Sequence, residues 1–233
     1  MKTAMKGRKP GKAVLRERAP QIAGLLLGRY PEAECTLDHQ SPFELLAGAI
    51  LASQCTDERV NKITPHLFDR YPDLESLADA DQGEVEDIVR SCGLYRTKAR
   101  ALRETAGILL GRHGGQVPRS REELMELPGV GRKVANLIMG DAFGEQAVVV
   151  DTHCGRISRL LGFTTSDNPV IVERDLMETL PRDIWTLWGH LMVAHGRVLC
   201  RARCRLCFEC PVRSLCRYGL ALDPGLEEEG GCV

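Results

Sequence analysis

The sequence predicts an all-α protein, and three observations carry that reading. Apolar residues recur at helical spacing through most of the chain. Ser, Asp, Pro and Gly punctuate these runs at helix-length intervals. Strand-type alternation is absent: Ala147 to Val150 is β-like in composition, but a single such run has no partner and reads as an extended linker.

In chain order, residues 1–20 form a basic stretch, with Lys2, Lys6, Arg8, Lys9, Lys12, Arg16 and Arg18 against one acid, Glu17. It reads as a tail that lends electrostatic help against phosphates. An apolar helix follows from Ala19 to Tyr30 with Ile22, Leu25, Leu26 and Leu27, stopped by Pro31. Ser41-Pro42-Phe43-Glu44 then supplies a cap, a first-turn proline and a capping-box glutamate ahead of Leu45, Leu46 and Ile50. Asp57 to Tyr71, Asp81 to Cys92 and Thr97 to His113 are the next helical stretches, separated by Pro72, Gly93 and Gly114-Gly115.

Ser120 caps a short helix through Glu126. Leu127-Pro128-Gly129-Val130-Gly131-Arg132-Lys133 then turns into a second, with Val134, Ala135, Leu137 and Ile138 at helical spacing. In this helix–turn–helix, Gly129 and Gly131 let the backbone approach a ligand, and the N–H groups opening the second helix favour an anion such as a DNA phosphate. Val148-Val149-Val150 delivers Asp151, then Thr152 and His153, into another helical pattern from Cys154 to Leu161. Val170 to Leu180 is amphipathic, and Trp185 to Leu199 is strongly apolar. In that last stretch His190 reads as a hydrogen-bonded core group, and His195 and Arg197 as packing and charge support.

At 233 residues the chain is long enough for one large or two small domains, and its formal net charge of −1 advertises no polyanion partner globally. Ten cysteines without a secretory leader favour a metal site in a reducing compartment over disulfides. No run reaches membrane-span length. Cys200-x6-Cys207-x2-Cys210-x5-Cys216 suits zinc or an iron–sulfur cluster, and Cys204-x2-Cys207-x2-Cys210 permits a second, ferredoxin-like ligand set. Arg197, Arg201, Arg203, Arg205, Arg213 and Arg217 surround the cysteines with only Glu209 opposing them, a local basic face suited to phosphates. Glu227 to Glu229 reads as an acidic tail, and Cys35, Cys55, Cys92, Cys154 and Cys232 as buried or tail thiols.

The hairpin with its lysine, the Val-Asp-Thr-His segment and the cysteine spacing, in this order, resemble the endonuclease III family. These are iron–sulfur DNA glycosylases and apurinic-site lyases of the helix-hairpin-helix superfamily. The resemblance runs from about Leu37 to Cys216 and is most specific in the cysteines. It implies two helical lobes: a six-helix lobe over 34–145 carrying the hairpin, and a cluster lobe made of 1–33 and 146–223, with 224–233 a tail. Lys133 and Asp151 would face each other across a cleft.

The resemblance further implies a [4Fe–4S] cluster on Cys200, Cys207, Cys210 and Cys216. Lys133 would be the Schiff-base nucleophile, which must be neutral to attack, and Asp151 would handle a proton or stabilise a positively charged sugar. Gln54, in Leu51-Ala52-Ser53-Gln54-Cys55-Thr56-Asp57, and Leu94, in Gly93-Leu94-Tyr95-Arg96, match the loops that enter the duplex when a base is flipped. Gly129, Gly131 and Arg132 would hold phosphate, and His153 would lie near the pocket. Cys55 stands where relatives often have alanine. The expected partner is double-stranded DNA with an oxidised pyrimidine or an abasic site, met by a monomer in a bacterial cytoplasm, or in a nucleus or organelle if the source is eukaryotic. A DNA-binding protein without catalysis and a sister family that removes adenine are disfavoured by the presence of Lys133. A ferredoxin-like carrier would leave the hairpin idle.

Overall fold

The structure, a computed structural model, describes residues 10–222. Lys2, Lys6, Arg8 and Lys9 of the basic stretch, Glu227 to Glu229 and Cys232 lie outside the described residues. In chain order the helices are α1 (Lys12–Arg29), α2 (Pro42–Leu51), α3 (Asp57–Arg70), α4 (Leu74–Ala78), α5 (Gln82–Val89), α6 (Tyr95–His113), α7 (Arg121–Leu124), α8 (Arg132–Leu137), α9 (Thr152–Leu161), α10 (Pro169–Met177), α11 (Trp185–Val198) and α12 (Arg217–Leu220). The expected all-α class is borne out. Among the described residues, backbone pairing of the sheet kind is limited to one isolated antiparallel bridge between Cys200 and Arg205.

Local chemistry explains most helix starts. Ser41 Oγ accepts from the Glu44 N–H at 3.2 Å, and the Glu44 carboxylate reaches back to the Gln40 N–H at 2.8 Å. This is a reciprocal cap displaced outward by one residue. Thr56, Asp73, Asp81, Ser120 and Asn168 cap α3, α4, α5, α7 and α10 through side-chain oxygens. The first helix departs from expectation: it begins at Lys12, with Pro20 inside it. Proline is favoured in a first turn, which makes Ala19-Pro20 look like a start. Leu15 and Ala19 are fully buried, and their packing holds the helix together ahead of the proline. Part of the basic stretch is therefore helix: Lys12 pairs with Glu178 at 2.7 Å, and Arg16 Nε donates to the Glu178 carbonyl at 3.1 Å.

The chain divides into two compact units, one running over Cys35–Glu145 and the other made of the described residues up to Glu34 and from Gln146 onward. The continuous unit is cored by Leu45, Leu46, Leu51, Leu67, Leu102 and Leu109, all fully buried. The discontinuous unit packs Leu15, Ile22 and Leu26 of α1 with Ile157, Phe163, Trp188 and Leu191. Trp188 stacks edge-on to Phe163 at 4.9 Å between ring centroids, and its Nε1 donates to Ser158 Oγ at 3.2 Å. No described helix is long and apolar enough to cross a membrane.

Replacing Trp188 with alanine removes a fully buried ring and leaves Ser158 without its donor. The expected cost is about 3–5 kcal/mol in urea unfolding followed by circular dichroism. Val170→Ala, at a side chain 52% exposed, is expected to stay within about 0.5 kcal/mol of the parent in the same measurement.

Candidate active site

The hairpin is built on one demanding glycine. Gly129 has φ +78°, and a Cβ there would meet Ile50 Cγ2 at 3.3 Å and the Ala101 Cβ at 3.4 Å. Left-handed backbone and close packing together require glycine. Gly131, at φ −94°, is the residue that opens α8, and a Cβ on it would meet open space. Leu127 and Val130 are buried beneath the turn, and Thr105 Oγ1 reaches the Pro128 carbonyl at 3.5 Å. Arg132 and Lys133 fill the first two positions of α8, Lys133 exposed and Arg132 half-buried. The expected single helix after the hairpin is shorter, passing at Ile138–Ala142 into a π-helical turn.

Asp151 is placed by its own helix and by a groove in another. It caps α9, its Oδ1 accepting from the Cys154 N–H at 2.7 Å. The segment leading to it runs against α11 where that helix carries Gly189 and Gly196, seven residues apart on one face. A Cβ at Gly189 would meet the Val149 carbonyl oxygen at 3.3 Å, and one at Gly196 would lie 2.2 Å from His153 Nδ1. Burial lowers the His153 pKa from its ordinary value, against the opposing charge of Asp151. Its Nδ1 accepts from Arg156 Nη2 at 3.4 Å, while Nη1 of the same guanidinium donates to Cys200 Sγ at 3.7 Å.

Gln54 and Leu94 share an uncommon feature. They are the only non-glycine residues among those described with positive φ, at +55° and +47°. Both side chains are exposed, Leu94 at 56%. Left-handed backbone is costly for a leucine, and such strain concentrates at functional positions.

Cys200, Cys207, Cys210 and Cys216 line one pocket, together with apolar Ile157, Leu161 and Val212, enclosing about 400 Å³ of empty space with the solvent at its mouth included. All four are free thiols, whereas Cys204 is neither among the free thiols nor in the lining. Burial, and then the neighbouring sulfurs, push the Cys207 thiol up to about 12; burial pushes Cys210 to about 11. Four such thiols ionise together only around a strongly cationic centre.

His195, buried at 2%, bridges this pocket to α1, with Nδ1 3.1 Å from the Tyr30 hydroxyl and Nε2 3.6 Å from Cys210 Sγ. Burial drops its pKa to about 4, with Arg156 adding to the fall, so it is a neutral, hydrogen-bonded group. Around the rim, Arg213 lies over the Phe208 ring at 4.2 Å and Arg205 over Tyr218 at 5.2 Å. Sequence reading missed Arg156 and Tyr30. Arg156 follows His153 by three on α9, a spacing that puts both on one helix face. Tyr30 lies far away in the chain, and no local pattern points to it.

Helical lobes, a Pro-Gly-Val-Gly hairpin followed by lysine, and an aspartate capping the next long helix define a base-excision DNA repair fold. The family model described as HhH-GPD superfamily base excision DNA repair protein matches residues 47–182. Endonuclease III of Synechocystis sp. is 45% identical over 86% of this chain and 92% of its own length. A solved structure of a trapped covalent endonuclease III–DNA intermediate, an estranged-adenine complex, superposes with a TM-score of 0.82 at 41% identity, covering 88% of this chain and 97% of that one. A non-covalent endonuclease III–DNA complex gives 0.83 at 41% identity, with 88% and 96% covered. The chain belongs to the endonuclease III family.

Gly196→Ala is expected to push the His153 ring off α11 and loosen the Asp151 segment while the protein still folds. The His153 ring resonances should shift, and single-turnover base removal should slow by about tenfold or more, as happens when a reacting group is misplaced. Unchanged resonances and rates would mean that α11 does not set this geometry.

Proposed function

We propose that the chain is a bifunctional DNA glycosylase and apurinic-site lyase that excises oxidised pyrimidines from double-stranded DNA in base excision repair, with Lys133 as its nucleophile. The observation that carries the reading is the pairing of a lysine directly after the hairpin with a relative trapped covalently on DNA. The Lys133 amine attacks C1′ of the damaged nucleoside, the C1′–N bond breaks, and the base departs. The sugar ring opens to a Schiff base on the lysine, and loss of a C2′ proton expels the 3′ phosphate by β-elimination. Asp151 accepts the proton shed by the attacking amine or stabilises positive charge developing on the sugar. Its Oδ1 is committed to the α9 cap, which fixes the carboxylate's direction.

Gln54 and Leu94 enter the duplex as the base leaves the stack. The strained backbone at both supports this role, because it presents side chains that the fold itself does not bury. Gly131, open on its outer side, and Arg132 fit contacts to phosphate, and His153 supports the Asp151 segment. Cys200, Cys207, Cys210 and Cys216 would hold a [4Fe–4S] cluster. Four free thiols lining one largely apolar pocket, at the spacing Cys200-x6-Cys207-x2-Cys210-x5-Cys216, support that reading. When bound, the cluster supplies the positive charge that lets four buried thiolates coexist. The chain itself holds Cys200 through Arg156 and Cys210 through His195.

Lys133→Gln is expected to abolish borohydride trapping and strand cleavage while leaving DNA affinity within a few-fold. Trapping at normal yield in that variant would remove the assignment. For the cysteines, Cys204→Ser is expected to keep a full iron complement and its visible absorbance, while Cys200→Ser or Cys216→Ser loses both, since a hydroxyl is a poor ligand for a soft centre. Iron lost from the Cys204 variant and kept in the Cys200 variant would establish the ferredoxin-like ligand set instead.

A further inference from the structure

His195 touches two of the four cysteines. Its backbone carbonyl accepts the N–H groups of Leu199 and Cys200, at 3.0 and 2.9 Å, where α11 ends. Its ring lines the cysteine pocket and sets Nε2 3.6 Å from Cys210 Sγ. On the other side of the ring, Nδ1 lies 3.1 Å from the Tyr30 hydroxyl. Tyr30 is fixed in turn: its N–H donates to the Leu26 carbonyl at 2.8 Å, and the Arg29 guanidinium lies over its ring at 5.5 Å. Histidine and tyrosine are both buried. Hydroxyl, ring and sulfur thus form one chain inside the discontinuous unit.

The direction of each hydrogen bond in this chain follows from the sulfur. A cysteine that ligates a metal is a thiolate with no proton to give, so Nε2 must carry the proton and donate it. A neutral imidazole has one N–H, which leaves Nδ1 an acceptor. The Tyr30 phenol, protonated at neutral pH, supplies the donor. Without that hydroxyl the ring is free to carry its proton on Nδ1 and to present a lone pair to the sulfur.

We propose that Tyr30 and His195 form a relay that holds an N–H on the Cys210 sulfur, raising the one-electron reduction potential of the [4Fe–4S] cluster and guarding it against oxidation. Tyr30 is a positioning residue, acting through the histidine. The inference rests on the ligand set proposed above. A hydrogen bond to a ligand sulfur draws electron density from it and favours the more electron-rich state of the centre. A small-molecule oxidant taking one electron from the cluster is therefore opposed while the relay is intact.

The test uses the full-length, iron-loaded protein beside Tyr30→Phe, His195→Phe and the double variant, each checked for iron content. Voltammetry reads the potential, and visible absorbance is followed under ferricyanide, which takes one electron as it becomes ferrocyanide. Tyr30→Phe keeps the ring and loses only the hydroxyl. It is expected to retain its iron, bleach faster, and shift the potential down by about a tenfold change in the oxidised-to-reduced ratio, or about 59 mV for one electron. His195→Phe should lower the potential at least as far. The double variant should go no further than His195→Phe, because the hydroxyl has nothing left to orient. Full iron with an unchanged potential in Tyr30→Phe overturns the relay, and so do additive shifts in the double variant. Iron lost from Tyr30→Phe makes the contact structural and overturns it as well. If His195→Phe holds no iron, resonance Raman of the parent and Tyr30→Phe decides. Full exchange into deuterium oxide should shift the Fe–S stretching bands more in the parent, and equal shifts overturn the relay. A parent protein that binds zinc or no metal overturns the cofactor reading, and this inference with it.

Discussion

The close approach of the Val149–His153 segment to α11 is the constraint on which the discontinuous unit depends. Two glycines on one face of a buried helix leave a groove deep enough for a neighbouring backbone, and any side chain there would occupy the space of Val149 or His153. A glycine within a helix costs up to about 1 kcal/mol relative to alanine. Here that cost is offset by the burial of Val148 and Val149 and by the cap that Asp151 makes once the segment has landed. Asp151, its neighbouring histidine and the arginine that reaches Cys200 are thereby fixed by one packing event. A lost methyl-sized gap on α11 would be felt at all three.

The same side chains also connect the cysteine loop to the rest of its unit. Between Leu199 and Arg217 the chain has little regular structure beyond two short 3-10 turns, so its position depends on side-chain contacts. Arg156 from α9 and His195 from α11 reach two different sulfurs, and Tyr30, just after α1, orients the histidine. Outer contacts of this kind set which ring nitrogen carries the proton and how each ligand points. They link the cysteine loop to α1, α9 and α11.

Much of this was legible in the sequence, and the limits follow from physics. The Pro-Gly-Val-Gly hairpin, the caps at Ser41 and Ser120 and the cysteine spacing are local patterns, and local patterns survive without coordinates. The early start of α1 was hidden because Pro20 imitates a helix beginning, while the packing of Leu15 that overrides it comes from residues far along the chain. Gly189 and Gly196 carry no local signal, since their purpose lies in what approaches them. Backbone sign is invisible to pattern reading as well. Nothing in the local sequence singles out Gln54 or Leu94 as left-handed, although Gly93 beside Leu94 marks a turn.

The discontinuous unit is completed late as the chain is made. Residues 35–145 are contiguous and contain their whole core, so they can fold as soon as they leave the ribosome. Helix α1 emerges first but must wait for its partners: Leu26 is synthesised well before Ile157 and Trp188, which cover it. At ordinary translation speeds the interval is on the order of ten seconds. For that time Leu15, Ile22 and Leu26 are uncovered on a nascent chain, with Leu25 and Leu27 adding apolar surface beside them.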